Sequence, residues 1–374
     1  MQCERVTTKE QMKEFVELPF RLYRDYPYWV APLKKENLKY MMGKNTELLH
    51  CPHAHFLVRE GRLVRGRILA FVDEELNEYH GTKVGYLAAY EAEDDPEVSS
   101  LLFSEAEAFL RGLGMEEVKG PVSLPGGEDH RGLVVEGFEE IPAIMNTTNF
   151  PYYNDQFLAA GYEKYHDCYA FTATREDLQT RVDELERILP RVQKRYGYHV
   201  DTVDLKHHEE RDLEDIYRVL EEGLPKSWLD FKPVSKEEIQ NIFAQVKPFV
   251  DSDLVCIART DEGRPIGFDL ALPDYNEILK DFHGKMGPRQ VLSFLKKKRH
   301  FDRLRMFVLF VIPEFQKKGV SASIYYTCFK NAVAKGYQRL EGSTIWDYNQ
   351  PMLTDIEKFG AKKNITYRIY RKAL

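Results

Sequence analysis

The sequence lacks a surplus of positive charge. Its 374 residues carry 53 lysines and arginines against 60 aspartates and glutamates, which gives a formal net charge of −7 at pH 7. Proteins that bind nucleic acids usually carry a basic surplus, because they neutralise phosphates. The charge balance therefore argues against a nucleic-acid partner. The one dense basic run, Lys296–His300 (KKKRH), is interpreted as a solvated helix end.

Clustered cysteines and long apolar runs are also missing. The five cysteines are scattered through the chain, at Cys3, Cys51, Cys168, Cys256 and Cys328. Such spacing predicts free thiols in a reducing compartment. No apolar run approaches the ~20 residues that a membrane-spanning helix needs, and the first fifteen residues contain no apolar leader segment. From the sequence we expect a soluble, cytoplasmic protein without a membrane partner.

A metal site is not expected either. Cys51, His53 and His55 alternate along the chain, so an extended segment would place them on one face. A zinc site can be built in that way, but a fourth ligand is not evident. The structural interpretation of these residues is therefore preferred.

Two copies of one pattern run through the chain. The stretch Val58–Ile68 (VREGRLVRGRI) mirrors Ala258–Phe268 (ARTDEGRPIGF), and Leu158–Tyr162 (LAAGY) mirrors Glu357–Ala361 (EKFGA). In each half, helical and extended segments alternate and include one hairpin, which predicts a mixed α/β fold. A chain of this length suits two domains. We predict a first domain at 1–174, a linker helix at 175–197 and a second domain at 198–374.

The most informative stretch is Arg303–Lys335, which reads as strand, turn and helix. The run RLRMFVLFVI is typical of a strand buried on both faces, and Pro313 ends it. Gly319 follows in a turn, with the small residues Ser321 and Ala322 after it. Amides in the first turn of a helix have no internal partners, and the helix dipole is positive there. The stretch therefore predicts an anion site, and it does not fit the Walker or dinucleotide fingerprints.

The sequence of this turn resembles a motif of one protein superfamily. Gln316-x-x-Gly319-x-Ser321 is similar to the Q/R-x-x-G-x-G/A loop of the GNAT (GCN5-related N-acetyltransferase) superfamily, in which that loop cradles the pyrophosphate of coenzyme A. Ser321 departs from the usual glycine or alanine but is small. The chain as a whole resembles tandem GNAT-type proteins, in which a degenerate first copy precedes a working second copy. The resemblance implies two tandem GNAT-like folds.

The resemblance also implies a coenzyme and the residues that hold it. The expected co-substrate is acetyl-coenzyme A or another acyl-coenzyme A. Strand amides would hold its pantetheine arm and the turn would hold its phosphates, while an asparagine would belong to the following motif. The implied binding residues are Phe310, Val311, Gln316, Lys317, Lys318, Gly319, Val320, Ser321, Ala322 and Asn349. The basic run Lys296–His300 is a further candidate for contact with the 3′-phosphate of the coenzyme.

The first copy is expected not to bind this coenzyme. Its counterpart of the turn reads Glu91-Ala-Glu-Asp-Asp-Pro96. Acids at a helix N-terminus satisfy the dipole themselves and repel a pyrophosphate. Pro96 also removes one amide donor.

The acid and base of the implied reaction are harder to identify. The superfamily's usual tyrosine acid is replaced by Ile356, so Tyr348 and Tyr367 are considered as substitutes, with packing as their alternative role. Glu341 lies in the middle of a predicted buried strand, where a lone carboxylate is costly unless it is paired or used. Glu341 is therefore the candidate base, and a salt bridge is its alternative role.

Three functions are compatible with these residues. The leading hypothesis is an acyl-coenzyme-A-dependent N-acyltransferase that acts on an amine of a small molecule or peptide. The second is a non-catalytic acyl-coenzyme-A sensor or scaffold, which the isoleucine at the tyrosine position favours. The third is a FemABX-like aminoacyl transferase, which would need a charged tRNA and is disfavoured by the acidic balance. Neither the acceptor nor the oligomeric state is indicated by the sequence.

Overall fold

The chain folds into two compact units. The structure, a computed structural model, describes residues 1–125, 130–298 and 300–374. The first unit comprises Met1–Tyr169 together with Asn276–Lys296 and Asn364–Leu374. The second unit comprises Ala170–Tyr275 and Lys297–Lys363.

Thirteen strands occur in the described part of the chain. Their bounds are β1 Gln2–Arg5, β2 His53–Glu60, β3 Leu63–Phe71, β4 Val84–Ala92, β5 Glu117–Gly120, β6 Leu133–Glu136, β7 Glu163–Thr174, β8 Tyr198–Thr202, β9 Cys256–Thr260, β10 Pro265–Pro273, β11 Arg303–Val311, β12 Arg339–Trp346 and β13 Lys362–Ala373.

The helices occupy both units. Their bounds are α1 Lys9–Leu22, α2 Lys34–Lys39, α3 Thr46–His50, α4 Glu74–His80, α5 Pro96–Gly112, α6 Tyr152–Ala159, α7 Arg175–Tyr196, α8 Glu209–Gly223, α9 Lys236–Val246, α10 Asn276–Leu279, α11 Pro288–Lys297, α12 Val320–Ala334 and α13 Gln350–Phe359. Within the described residues, no helix combines the length and the apolar character that crossing a bilayer requires.

The first unit contains a sheet whose strands follow the order β1-β2-β3-β4-β5-β13-β7, and β6 also pairs with β13. Strands β4 and β5 run parallel, whereas β13 is antiparallel to β5 and pairs Tyr370 with Gly120. The apolar face of α5, including Val98, Leu102 and Ala106, is fully buried in the core of this unit. The last strand of the chain therefore completes the sheet of the first unit.

The sheet of the second unit follows the order β12-β11-β10-β9-β8, and the end of β7 pairs with β12. Strands β11 and β12 run parallel, whereas the β10–β11, β9–β10 and β8–β9 pairs are antiparallel. Helix α12 contributes buried side chains at Ile324, Cys328 and Phe329, as its apolar stripe predicts. This mixed α/β architecture confirms the predicted fold class.

Two segments are assigned differently from the predicted division of the chain. The predicted second domain spans 198–374, but 276–296 and 364–374 belong to the first compact unit. The predicted linker corresponds to α7, which is part of the second unit and buries Leu178, Val182, Leu185 and Leu189. The domain boundaries stay a prediction, because compact units and independently folding domains are different properties.

Candidate functional site

Strand β11 separates from its parallel neighbour at a bulge. Pairing with β12 joins Arg303–Met306 to Arg339–Gly342 and, in this fully described region, does not continue to Val311. On the other side of β11, the register with β10 shifts so that Met306 and Val308 have partners and Phe307 has none. A bulge bends its strand and re-aims backbone groups. The far half of β11, including Phe310 and Val311, therefore has an edge that is not bonded to β12.

The predicted anion loop follows this open edge. Residues Pro313–Phe315 form one turn of 3-10 helix, and α12 begins at Val320. Lys317 and Gly319 both lie in the left-handed region, with φ of +61° and +78°. Alternation of backbone conformation in such a loop turns successive amides toward one side, which makes a concave anion site. The amides in the first turn of α12 also have no acceptor within the helix and can donate to a bound anion.

Gly319 is required by packing as well as by backbone conformation. A Cβ atom built on Gly319 would lie 2.8 Å from Cγ1 of Val192 on α7. Real Cβ atoms essentially never approach a neighbour so closely. Helix α7 therefore packs directly against the loop at Gly319, and any side chain at position 319 would push the loop and α7 apart.

Tyr198 is hydrogen-bonded to the loop before α12. Its buried hydroxyl donates to the carbonyl oxygen of Lys318 at 3.2 Å and lies 3.1 Å from Oγ of Ser323. No local sequence signal connects Tyr198 with the loop, since 120 residues separate it from Lys318. The hydrogen bonds link β8 to the loop and to the first turn of α12.

Tyr198→Phe is expected to weaken coenzyme binding moderately. Removal of the hydroxyl leaves the Lys318 carbonyl without this donor, which should cost about 1 kcal/mol of stability and loosen the loop. We expect about a fivefold higher Kd for acetyl-coenzyme A by calorimetry, together with a lower urea midpoint. Tyr196→Phe, next to it at the end of α7, is the matched control. An unchanged Kd in Tyr198→Phe would show that the hydroxyl does not position the loop.

The side chains of the loop have partners of their own. Gln316 donates from Nε2 to the carbonyl oxygen of Val311 at 3.2 Å, and the Lys318 ammonium group lies 4.5 Å from the ring centre of Phe315. Ser321 donates from Oγ to Oδ2 of Asp355 at 2.9 Å. The Ser321 hydroxyl is therefore already used within the protein. The exposed Lys317 and the loop amides are the groups best placed to meet a ligand.

The remaining predicted binding residues have structural contacts. Val320 is buried, so only its amide can face a ligand. Asn349 caps α13, and its Oδ1 accepts the amide of Met352 at 3.4 Å. Ile356, at the expected tyrosine position, packs on the backbone of β12, because a Cβ on Gly342 would lie 2.5 Å from its Cδ1.

An aromatic cluster lies beside the open end of β11. Tyr348 stacks on Trp346 with ring centres 5.2 Å apart and contacts Trp228 edge-to-face at 5.6 Å. Trp228 also contacts Phe310 at 6.3 Å and Phe231 at 5.4 Å. The loop between α8 and α9 supplies Trp228 and Phe231, and this contribution was not foreseen. The predicted acid Tyr348 thus contacts two tryptophan rings, one of which also contacts Phe310.

Tyr367, the other considered phenol, belongs to the first compact unit. It is fully buried in β13, in the first unit, opposite Val134 of β6. Its surroundings there are those of a packed core residue.

Glu341 lies in a buried network of charges. One carboxylate oxygen accepts the hydroxyl of Ser343 at 2.9 Å, and the other lies 3.6 Å from the Arg303 guanidinium group. Arg303 also pairs with the buried Asp274, and Arg305 donates to Oγ of Ser343 at 3.1 Å. Burial raises the pKa of Glu341 above its ordinary value, against the lowering effect of both arginines. The salt bridge considered as the alternative role of Glu341 is therefore present, with Arg303 as its partner. The raised pKa of Glu341 also suits a general base.

A second buried carboxyl group lies on the neighbouring strand. Asp269 of β10 is fully buried, and its Oδ1 accepts the amide of Cys256 at 2.6 Å. Burial raises the pKa of Asp269 to about 7, and the Cys256 amide offsets this only in part. The folded chain therefore holds the proton of Asp269 much more tightly than the unfolded chain does.

Asp269→Asn is expected to stabilise the fold above neutral pH. The contribution of protonated Asp269 is complete below about pH 4 and is lost as pH rises toward 7, because the folded pKa exceeds the unfolded one. Asparagine carries no charge, so the variant should gain about 2 kcal/mol over the wild type at pH 8 and little at pH 4.5. Urea unfolding at both pH values tests this, with the exposed Asp261→Asn as control. An equal effect at both pH values would contradict the account.

The first unit repeats the backbone geometry without the anion loop. Strand β4 is bulged near Ala89, and its pairing with β5 ends at Tyr86. Beyond this point Asp95 caps α5 by accepting the amide of Glu97 at 2.9 Å. The carboxylate of Glu93 accepts a hydrogen bond from the guanidinium group of Arg21 and another from that of Arg65, each at 2.7 Å. The expectation that acids satisfy this helix N-terminus themselves is confirmed, and the two arginines that hold Glu93 are an addition.

Solved structures define the class of fold. The structure of a tandem GNAT protein from the clavulanic acid biosynthesis pathway matches with a TM-score of 0.59 and 11% sequence identity, covering 100% of this chain and 98% of that chain. The chain therefore has the tandem GNAT fold that the sequence predicts. No protein-family model matches the sequence.

Two curated relatives are similar over nearly the full length. Protein YghO of Escherichia coli K12 is 28% identical, covering 98% of this chain and 94% of its own. A bacterial ceramide synthase of Caulobacter vibrioides is 29% identical, covering 99% of this chain and 96% of its own. Among the described residues, no group of three or more histidine, cysteine, aspartate or glutamate side chains is arranged to hold a metal ion.

Proposed function

We propose that the chain is an acyl-coenzyme-A-dependent N-acyltransferase whose second unit binds the coenzyme. One observation carries this proposal: β11 leaves β12 at a bulge, and the anion loop follows at the end of the same strand. An open strand edge offers hydrogen bonds to an extended amide chain, and the loop offers amides to a pyrophosphate. The pantetheine arm of coenzyme A has amides, and its other end carries a pyrophosphate.

The coenzyme would be held by backbone more than by side chains. The edge of β11 near Phe310 and Val311 would bind the pantetheine arm. The amides of Lys317 and of residues 319–322 would bind the phosphates, whereas the Lys318 amide donates to the carbonyl oxygen of Phe315. Lys317 adds positive charge at the surface. A backbone amide next to the bulge would polarise the thioester carbonyl group, as in an oxyanion hole. The acids at the equivalent helix in the first unit support a single coenzyme site per chain.

Amide formation requires one proton to leave the acceptor and one to reach the departing thiolate. Glu341 is the proposed base, supported by its raised pKa, and Tyr348 is the proposed acid, supported by its contact with Trp228, which also contacts Phe310. The amine nitrogen would attack the thioester carbon, the carbon–sulfur bond would break, and the thiolate would be protonated. Glu341 is the third residue of β12, and Tyr348 follows the last residue of that strand by two positions.

We further propose that the acceptor is an amine with an apolar chain. Ceramide is the amide of a long-chain amino alcohol, and a full-length relative is named as a ceramide synthase. In this chain the cluster of Trp228, Phe231, Phe310 and Trp346 supplies aromatic surface beside the open edge. Such surface binds an alkyl chain better than a charged peptide.

The test is an acyl-transfer assay with matched amines. The chain is incubated with an acyl-coenzyme A and either a long-chain amino alcohol or ethanolamine, which shares the polar head. Thiol release is followed, and the amide is identified by mass spectrometry. We expect amide from the long-chain amine and at least about tenfold less from ethanolamine, because several buried methylene groups separate the two. Equal rates would contradict the apolar acceptor, and no thiol release with any amine would contradict the reaction.

A non-catalytic acyl-coenzyme-A sensor is the second candidate. The observation that favours it is Ile356, which packs on Gly342 and cannot supply a proton. Coenzyme binding without thiol release from any amine would support this candidate.

A further inference from the structure

The segment 276–296 is anchored at its start and unburied at its end. Asn276 donates from Nδ2 to the carbonyl oxygen of Pro142 at 2.9 Å, and the amide of Lys34 donates to the carbonyl oxygen of Gly284 at 3.0 Å. Phe282 is buried between these points. Helix α11 follows, and none of its ten residues is buried. The first unit thus fixes the base of this helix without covering it.

Helix α11 carries large apolar side chains on its exposed surface. Leu292 is 69% exposed and Leu295 is 50% exposed, and Val291 is exposed beside them. At about 100° per residue, these three side chains fall within an arc of about 100°. A stripe of this kind normally faces a core, so its exposure marks an interaction surface.

Positive charge borders the same stripe. From Phe282 to Phe301 the sequence contains six lysines and arginines and no aspartate or glutamate, although the whole chain carries a net charge of −7. Arg289 and Lys296 are exposed and lie along one border of the apolar arc on α11, and the exposed Lys298 follows the helix. The charge of this surface is therefore opposite to that of the rest of the chain.

We propose that α11 docks the protein on an anionic lipid surface. An apolar stripe bordered by lysine and arginine is the pattern of helices that lie in a membrane interface, where the apolar side chains enter the acyl boundary and the cations meet lipid phosphates. A peripheral helix of this kind needs no membrane-spanning segment. This proposal departs from two predictions made from the sequence, namely that the protein has no membrane partner and that the basic run is a solvated helix end. Arg299 of that run lies outside the described residues.

Flotation with vesicles tests the proposal. The full chain is mixed with vesicles of phosphatidylcholine alone or with about 30% phosphatidylglycerol, in the absence of coenzyme and amine. We expect at least about tenfold stronger partition to the anionic vesicles, and a steep decrease at high salt, because the attraction is screened. Equal partition to both vesicles, or none to either, would overturn the proposal.

Two variants locate the contact. Leu292→Glu with Leu295→Glu should lower partition by at least about tenfold, since each exposed leucine contributes apolar area to the lipid contact. Arg289→Gln with Lys296→Gln should lower it about fivefold for each charge removed. Ile188→Glu on α7, where Ile188 is 50% exposed, is the matched control and should leave partition unchanged.

A second copy of the chain is the competing occupant. If size-exclusion chromatography with light scattering shows a dimer that the leucine variant dissociates, and if vesicle binding does not change, then α11 is a subunit contact and the proposal is wrong. The vesicle assay contains no coenzyme or amine, so its outcome is independent of the proposed reaction. Failure of acyl transfer with intact vesicle binding would contradict the reaction alone.

Discussion

Ala322→Glu is expected to raise the Kd for acetyl-coenzyme A by at least about 100-fold while leaving the fold intact. Ala322 is the third residue of α12, directly after the Gly319 turn. A carboxylate in the first turn stabilises a helix by about 0.3–1 kcal/mol, because the dipole is positive there. The same charge would repel a pyrophosphate about 4 Å away by several kcal/mol at an effective dielectric constant of about 20. Stability and affinity should therefore change in opposite directions.

The control for this substitution is Ala322→Gln, which has the same length and no charge. Its Kd should stay within about fivefold of the wild type. Thermal unfolding should be measured for both variants. The Tm of Ala322→Glu should equal or exceed that of the wild type. Unchanged affinity in a folded Ala322→Glu variant would show that the coenzyme is not held at this helix. This substitution is a cleaner probe than Gly319→Glu, which would also force α7 and α12 apart.

Glu341→Gln is expected to lower kcat by at least about 100-fold, the usual contribution of a general base. Glutamine keeps the shape of the side chain and can still contact Ser343, but it cannot take a proton. The affinity for acetyl-coenzyme A should change little, because Glu341 contacts Ser343 and Arg303 and not the anion loop. In the wild type, kcat/KM should rise with pH through the pKa of Glu341, which burial holds above its ordinary value, and the variant should lose this dependence.

The ion-pair role of Glu341 makes a different prediction for the same variant. Glu341 is 1% exposed. Loss of its charge leaves less buried negative charge to balance the positive charges of Arg303 and Arg305. Removing one partner of a buried pair costs about 3–5 kcal/mol of stability. A variant that unfolds at lower urea but retains kcat and its pH profile would show that Glu341 is structural. The exposed Glu357→Gln on α13 controls for loss of one negative charge.

Local features of the site could be predicted from the sequence. The continuous apolar run before Pro313 and the glycine before a periodic helix identified β11, the turn at Gly319 and α12. The acids before Pro96 predicted the capped helix of the first unit, and Asp95 forms that cap. These predictions succeed because the signals are short-range: strand, turn and cap preferences depend on neighbouring residues.

Features that join distant parts of the chain were not predicted. Tyr198 reaches Lys318 across 120 residues, and Trp228 reaches Tyr348 across a similar distance. No local preference records such contacts, because they arise only when β8 and the loop after α8 are brought to β11 by the sheet. The placement of β13 in the first unit has the same cause: an alternating strand can pair with any suitable edge, and the sequence does not specify which.

The exposed face of α11 shows another limit of pattern reading. The apolar residues around Leu292 have the spacing of a core-facing helix, and only the structure shows that they are exposed. Basic residues after Leu295 are equally compatible with solvent, with a coenzyme phosphate and with a lipid phosphate. Exposure of the stripe next to the charges is the observation that favours the lipid phosphate.

The proposed coenzyme site can be tested by calorimetric titration of the wild-type chain with acetyl-coenzyme A. We expect one site per chain with a Kd in the micromolar range, because the second unit has an open strand edge followed by the Gly319 turn, whereas the first unit has an acid-capped helix. Two sites per chain would contradict the argument that the first unit does not bind the coenzyme. No binding of acetyl-coenzyme A or of a longer acyl-coenzyme A would contradict the proposed function itself.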